Sequence, residues 1–467
     1  MNTFFKLKER GSTVRAEIIA GLTTFMAMAY ILFINPGMFE ALGTVSYGAI
    51  YIATALSAVI GTVLIGLLAN LPLAQAPGMG LNAFFVYTAC MGLGFTYANA
   101  LVFVLADGLL FVTLTLTGLR KVIFDAIPKT VKTAIPAGIG LFIAFLGLQD
   151  AGIVVNDSAT CVNLASFNLL KSATWGSVMP MLVTIVTLVL IAAFNSRGMK
   201  GAILWSILIG SGLYYLLGLT VPGFYAEITF GTMNPLAAFK DFGTMSLGKV
   251  FTEGFDFSVY LETHSAGSLM LNFATTALAF CMVDMFDTMG TLFGACKTGG
   301  LLVADKEGNE EVPNMNRAML ADAIATCVGS VCGTSTVTTF VEASSGVAAG
   351  GRTGLSAMVT AVMFLIAMFL SPLAALIPAC AYSAALIYVG ILMMMCVTEI
   401  DWKDPASALP SFMAIAMMPF TYNVSYGIAF GLMTFIGVRL LTRRGKEITP
   451  ATWVIALLFI AMFFLTH

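Results

Sequence analysis

The chain has 467 residues, 59% of them apolar and only 10% charged, with a formal net charge of −2. Soluble domains carry near 25% charged residues, so this composition excludes a soluble globular protein and indicates a polytopic membrane protein with room for about a dozen or more spans of roughly 20 residues. No basic block supports nucleic-acid binding. The eight cysteines form no CxxC or Cys/His cluster, so neither a metal site nor a disulfide framework is expected.

Met1–Arg15 is a short polar arm with Lys6, Lys8, Arg10 and Arg15. Basic residues beside the first apolar run argue that the arm stays in the cytoplasm. No small-residue cleavage site follows that run, so it reads as an uncleaved first helix. Helices are expected near 17–39, 48–70, 78–92, 97–119, 135–149, 177–195, 201–221, 267–296, 317–332, 343–350, 353–377, 379–397, 406–421 and 424–441. The loops after the fourth and sixth helices are basic (Arg120, Lys121, Lys129 and Lys132; Arg197 and Lys200), as cytoplasmic loops should be. Loops 150–175 and 222–266 are poor in Lys and Arg and read as external. Loop 297–316 is mixed, with Lys297 and Lys306 against Asp305, Glu307, Glu310 and Glu311. Arg439, Arg443, Arg444 and Lys446 put the end of the fourteenth helix inside. The last apolar stretch, Trp453–Leu465, breaks this parity, and its length leaves open whether it spans.

Two segments are not ordinary spans. In Leu71–Phe85, LPLAQAPGMGLNAFF, Pro72 and Pro77 precede Gly78 and Gly80. Proline removes a backbone donor and disfavours helix at the residue before it, so 72–77 should be extended and a half-length helix should begin near Gly78. In Gly333–Gly351, Thr334–Val341 is rich in Thr and Val and reads as a strand; Glu342 and a short Ala/Gly/Ser helix follow. Non-helical backbone at membrane depth survives only where protein or a water-filled cavity satisfies it. The two segments sit at helix positions three and ten, seven apart. Paired broken helices at matching places in two halves point to an inverted-repeat transporter with a midplane site; two glycine-rich packing helices are the plainer alternative.

The eighth helix carries Asp284 and Asp287 at mid-span, with no Lys, Arg or His inside it. Residues three apart share a helix face. Charge at this depth is costly and normally faces an aqueous cavity or a partner. The functional expectation is a polar substrate and proton site; the structural one is two acids held by interhelical hydrogen bonds. Asp107 and Asp322 are further intramembrane acids, for which a structural role is favoured over a proton path.

The stretches TTFMAMAYILFINPGMF (23–39), QAPGMGLNAFF (75–85), PAGIGLFIAFLGLQDAG (136–152), MVDMFDTMGT (282–291) and TSTVTTFVEASSGVAAGGRTG (334–354) resemble the azaguanine-type adenine/guanine/hypoxanthine permeases of the nucleobase–ascorbate transporter superfamily. The resemblance covers essentially the whole chain. It implies an all-α polytopic membrane protein of fourteen helices in a seven-plus-seven inverted repeat, whose broken helices 3 and 10 carry short strands. It further implies a core domain (1–119 and 267–377), a gate domain (120–221 and 378–467) and an extracytoplasmic loop at 222–266. Substrate would lie between helices 3, 8 and 10, with substrate or coupling roles on Asn82, Asp284, Asp287 and Glu342.

A purine base needs hydrogen-bond acceptors and donors at its edge and an apolar slot for its faces. Asp284, Asp287 and Glu342 can accept from ring N–H groups, or donate once protonated, and Asn82 can do both. Phe84, Phe85 and Phe340 are candidates to cover a ring face, against plain packing. The N–H groups of Ala343, Ser344 and Ser345, at a helix start, are candidate donors. The expectation is proton symport by alternating access, with Asp284, Asp287 and Glu342 between them carrying one proton, Asp287 or Glu342 foremost. No cofactor is expected beyond that proton. The expected partners are the purine and the lipid bilayer, with a homodimer as the candidate assembly. Three other readings remain: an anion transporter of the sulfate/bicarbonate type on the same architecture, which three carboxylates would repel; an intramembrane aspartyl protease, which needs its acids on separate helices and a GxGD sequence; and a passive channel.

A Gly198→Cys variant should react with a membrane-impermeant thiol reagent from the cytoplasmic side only. The native Cys161, in the loop 150–175, should react from outside. External labelling at position 198 would overturn the orientation and the inverted repeat with it.

Overall fold

A computed structural model describes residues 4–118, 127–170, 172–224, 235–298, 300–304 and 310–466. Arg120 and Lys121, and the charges Asp305, Lys306 and Glu307, lie outside the described residues. The chain is a multi-pass membrane protein: ten helices among the described residues are long and apolar enough to cross a bilayer. The other four expected helices fall short for physical reasons. Two are the half-helices of the broken segments. Met315–Cys332 carries Arg317 and Asp322 within its 18 residues, and Pro405–Thr421 has only 17 residues.

Helix starts follow local chemistry. Thr13, Ser46, Asp404 and Asn423 each accept a first-turn N–H, and Thr96 and Thr174 form reciprocal capping pairs with Asn99 and Ser177. The first expected span is two helices, Val14–Met28 and Ile31–Glu40, with Ala29 and Tyr30 as a turn between them. Lys129–Asp150 begins over a turn before the expected residue 135, because its polar first turn follows the pre-set φ of Pro128. Ala266–Thr298 has 33 residues, about 50 Å at 1.5 Å per residue, and so extends beyond a hydrocarbon core of about 30 Å.

The connections carry more structure than the sequence indicates. Loop 150–175 holds a hairpin, Val154–Asp157 with Cys161–Leu164. The described part of the long loop, 235–266, contains short helices and is not a loose excursion. Its Tyr260 is buried, stacks on Phe95 at 4.2 Å, and accepts from Asn272 at 2.7 Å. The basic arm is docked as well: Arg10 donates to the carbonyls of Asn70 and Arg352, both at 3.1 Å. The last apolar stretch forms a helix, Pro450–Thr466, packed on the long helix and on Val424–Leu441.

The two broken segments meet. Gln75–Pro77 and Val337–Thr339 form an antiparallel pair in the register Gln75–Thr339, Ala76–Thr338 and Pro77–Val337. The ladder extends at both ends, from Gly78 N–H to Thr336 C=O (2.9 Å) and from Phe340 N–H to Ala74 C=O (3.1 Å). Gly78 is required here: a Cβ on it would lie 2.5 Å from the Thr338 methyl. From this crossing one half-helix runs through Met79–Ala83 and widens into π turns over Phe84–Gly92. The other runs through a 3-10 turn, Val341–Ala343, into Ser344–Ala348.

Asp322 ties the crossing to the long helix. Its buried carboxylate accepts from the Gln75 amide (2.8 Å), the Thr339 hydroxyl (3.1 Å) and the Thr288 hydroxyl (2.7 Å), so the favoured structural role fits its surroundings. Losing the acceptor for a buried donor costs about 1–3 kcal/mol; an Asp322→Ala change leaves the Thr339 hydroxyl without one, while Gln75 and Thr288 keep only the Thr339 (3.2 Å) and Thr338 (2.8 Å) hydroxyls. We expect this variant to insert normally but to melt at a clearly lower temperature in detergent, with Asp322→Asn intermediate. An unchanged melting temperature would show that the carboxylate does not hold the crossing.

Candidate functional site

A cavity of about 770 Å³ lies beside the crossing, within the roughly 300–1,000 Å³ usual for small-molecule sites. One wall is polar: Asp287 of the long helix and Glu342, Ser344 and Ser345 of the second broken segment. The rest of the lining is largely apolar, with Pro136 and Met393, and also includes Asn195, Tyr388 and Lys200. A narrow recess connects Asp287 with Gly80 and Leu81 of the first broken segment. Gly80 permits that close packing, since a Cβ there would lie 2.5 Å from Ile139.

Glu342 lies in the 3-10 turn Val341–Ala343, one residue beyond the strand, and lines the cavity. It is half-buried and accepts a hydrogen bond from the Tyr30 hydroxyl. Ser345 donates its hydroxyl to the Glu342 carbonyl at 2.7 Å, which fixes the turn. Tyr30 is fully buried at the break in the first span. The sequence reading passed over it; the available signal was one hydroxyl inside the apolar run MAMAYILF. Phe286, which lines the cavity next to Asp287, was also missed.

Asp284 and Asp287 are separated by the structure. Three residues on a helix lie about 60° apart around its axis, and here that angle decides their surroundings. Asp287 is half-buried on the cavity wall. Asp284 is fully buried behind it, with Thr326 Oγ1 3.3 Å from its Oδ2. Asn82 is also fully buried; its Oδ1 accepts from the Ser335 hydroxyl, which ties the two broken segments together.

The aromatic and main-chain candidates are engaged elsewhere in this conformation. Phe84 is stacked on Phe280 at 4.3 Å, Phe340 is only 6% exposed, and neither lines the cavity. Phe85 packs on Phe39 at 4.9 Å. Apolar packing has claimed all three rings. The N–H of Ala343 donates to Phe340 C=O at 3.2 Å, and that of Ser344 bonds back to the carbonyls of Val341 and Glu342. Helix hydrogen bonding begins one turn earlier than expected, so these two N–H groups are already used.

Residues 15–430 match the family model Xan_ur_permease, described as a permease family. The chain is 37% identical over 458 residues to the adenine permease AdeP of Escherichia coli K12, covering 98% of this chain and 94% of that protein. It is 39% identical over 470 residues to the guanine/hypoxanthine permease PbuO of Bacillus subtilis, covering 99% and 100%. The putative permease MJ0326 of Methanocaldococcus jannaschii is 39% identical over 460 residues, covering 98% and 97%. Among solved structures, the transmembrane domain of the cyanobacterial bicarbonate transporter BicA is similar with a TM-score of 0.60 at 17% identity, covering 88% of this chain and 97% of that one. Murine Slc26a9, an anion transporter in the inward-facing state, gives 0.58 at 14%, covering 91% and 68%. At such identities the likeness to these two concerns the fold alone. Matched along most of its length by the permease model and by full-length relatives, the chain belongs to this family of membrane permeases, not to an enzyme family.

Proposed function

We propose that the chain imports purine nucleobases by proton symport through the cavity that holds Asp287 and Glu342. The observation that carries this is two carboxyl groups and two serines on one wall of a cavity whose other wall is largely apolar, in a chain related to adenine and guanine/hypoxanthine permeases. Carboxylates accept from ring N–H groups, and the apolar wall suits the ring faces. A neutral purine can be concentrated only with a co-transported ion. Asp287 and Glu342, which share the cavity, are the carriers in this scheme. Tyr30 holds Glu342 until substrate competes for it. Asn82 shapes the site by locking the two broken segments.

The framework is the fourteen-helix, seven-plus-seven inverted repeat with its crossing at the bilayer midplane. Packing supports a division into core and gate. Tyr47–Leu68 and Tyr97–Thr117 pack on Met315–Cys332, whereas Lys129–Asp150 packs on Ala379–Met394 and Pro405–Thr421. The cavity lies between these groups. The exposed Lys200 of the basic, cytoplasmic loop lines it, which supports an inward-facing conformation with the amino terminus inside and the protein in the bacterial inner membrane. A second cavity of about 640 Å³, lined by Thr96 and Lys249, marks the outer face. Elevator-like movement of the core against the gate would carry the site between the two. The fold neighbours are a bicarbonate transporter and an anion transporter, but two acids on the cavity wall oppose an anion here.

Glu342→Ala should abolish saturable uptake while the protein still reaches the membrane, since a hydrogen bond to a charged group is worth about 1.5–3 kcal/mol, or ten- to a hundredfold in affinity. Near wild-type uptake would sink the assignment.

In vesicles, uptake of labelled adenine, guanine or hypoxanthine should rise with an inward proton gradient, collapse with a protonophore and ignore sodium. Asp287→Asn should keep base-for-base exchange but lose accumulation. Uptake that follows sodium would refute proton coupling; uptake of bicarbonate or sulfate in place of purines would favour the anion reading; flux indifferent to any gradient would indicate a channel.

A further inference from the structure

The second broken segment meets the cavity through a half-helix of only five residues, Ser344–Ala348. A helix this short does not hold its own shape, because nucleation costs more than a single turn returns. Beyond it come Ala349 and a glycine pair, with Gly350 at a φ of +109°, so the chain itself gives the half-helix no firm anchor. The first span lies along the segment and touches it at three points. At one end the Tyr30 hydroxyl donates to Glu342. In the middle, Gly346 packs so closely that a Cβ on it would lie 1.9 Å from Thr24 Oγ1 and 2.6 Å from the Ala20 carbonyl oxygen.

At the other end Glu17 takes hold. It lies on Val14–Met28 and is fully buried. Its carboxylate accepts from the N–H groups of Arg352 (3.0 Å), Thr353 (3.4 Å) and Ser356 (3.2 Å) and from the Ser356 hydroxyl (2.6 Å). The helix Gly354–Ala367 starts there, and a helix N-terminus favours an acidic side chain. The Arg352 guanidinium reaches back to the carbonyls of Val347 and Gly351, both at 2.7 Å, so what fixes Arg352 also fixes the end of the half-helix. Arg10 and Asn70 complete the clasp: Arg10 donates to the Arg352 carbonyl, and Asn70 Oδ1 accepts from Gly354 N–H at 2.8 Å. From Glu17 to Tyr30 the rise along the span is about 20 Å at 1.5 Å per residue.

We propose that Glu17 is a positioning residue for solute binding: the first span splints the second broken segment, and Glu17, at the far end of the splint, fixes where Glu342, Ser344 and Ser345 stand on the cavity wall. This rests on the reading that the solute binds at that wall. Without the clasp the half-helix keeps its packing on Thr24 and the Tyr30 bond, and its other end hangs on the glycine pair. A wall that binds through hydrogen bonds depends on their geometry, so slack at Arg352 is felt in affinity.

Uptake kinetics per molecule inserted in the membrane separate positioning from plain stability. Glu17→Ala should raise KM for adenine, guanine or hypoxanthine about tenfold, the low end of the loss expected for Glu342→Ala, and leave Vmax largely unchanged. Glu17→Gln keeps one oxygen acceptor and should fall between Glu17→Ala and the wild type; it carries the test if Glu17→Ala does not insert. An unchanged KM, with only the melting temperature or the inserted amount reduced, would overturn the proposal. Hydrogen–deuterium exchange of the purified, lipid-reconstituted protein gives a second reading without solute. In Glu17→Gln, exchange should quicken from Arg352 back through Ser344–Ala348, and quickening confined to 351–356 would overturn the proposal as well. If the wild type takes up no purine, the functional reading fails, and the exchange measurement still decides whether Glu17 holds the half-helix.

Discussion

Backbone that leaves the helix inside a bilayer must find its hydrogen bonds within the protein. This chain leaves it twice, and each interruption supplies the partner the other lacks. Gln75–Pro77 and Val337–Thr339 pair antiparallel, and Gly78 and Phe340 extend the ladder. Pro77 is tolerated because it sits at the end of a two-stranded ribbon, where a missing N–H matters least. Everything polar in the centre hangs on this ribbon. Asp322 grips one end through Gln75 and Thr339, Asn82 and Ser335 lock the other, and both half-helices start from it.

The intramembrane acids fall into two groups with different surroundings. Asp287 and Glu342 are half-buried on a cavity wall. Asp107, Asp284 and Asp322 are fully buried among threonine hydroxyls that line the crossing. Hydroxyls suit this place because each can donate to a carboxylate while adding no charge of its own. An acid exposed to a cavity can exchange a proton with water. One walled in by packed helices can only serve as an anchor for its donors, or keep the proton it has.

The two cavity walls are also unlike. Hydrogen-bonding groups come from the long helix and the second broken segment, while the facing surface offers Pro136, Val389 and Met393. A polar wall can keep hold of a solute while an apolar wall slides past it, because apolar contacts are non-directional and lose little on displacement. The two walls therefore offer a solute different kinds of contact.

Much of this is local and so legible in the chain. Hydropathy delimits Tyr47–Leu68 and Val424–Leu441 to within two residues, because a span's apolar length is a property of one window. Prolines and glycines mark the first broken segment and a Thr/Val run the second, because backbone preference acts over a few residues. The presence of acids at bilayer depth is likewise evident. What no window contains is which surface meets which. Tyr30 and Glu342 are 312 positions apart, and Asn82 and Ser335 are 253 apart. The ring of Phe84 reads as a purine platform until Phe280 is found stacked on it. Asp284 and Asp287 share a face in the sequence, yet about 60° of helix rotation sends one to the cavity and the other into the bundle. Local chemistry is enough to indicate a membrane permease with two broken helices and acids within its apolar segments. Which acids reach the cavity follows from helix packing, because burial is set by the meeting of distant helices and not by any residue's own neighbours in the chain.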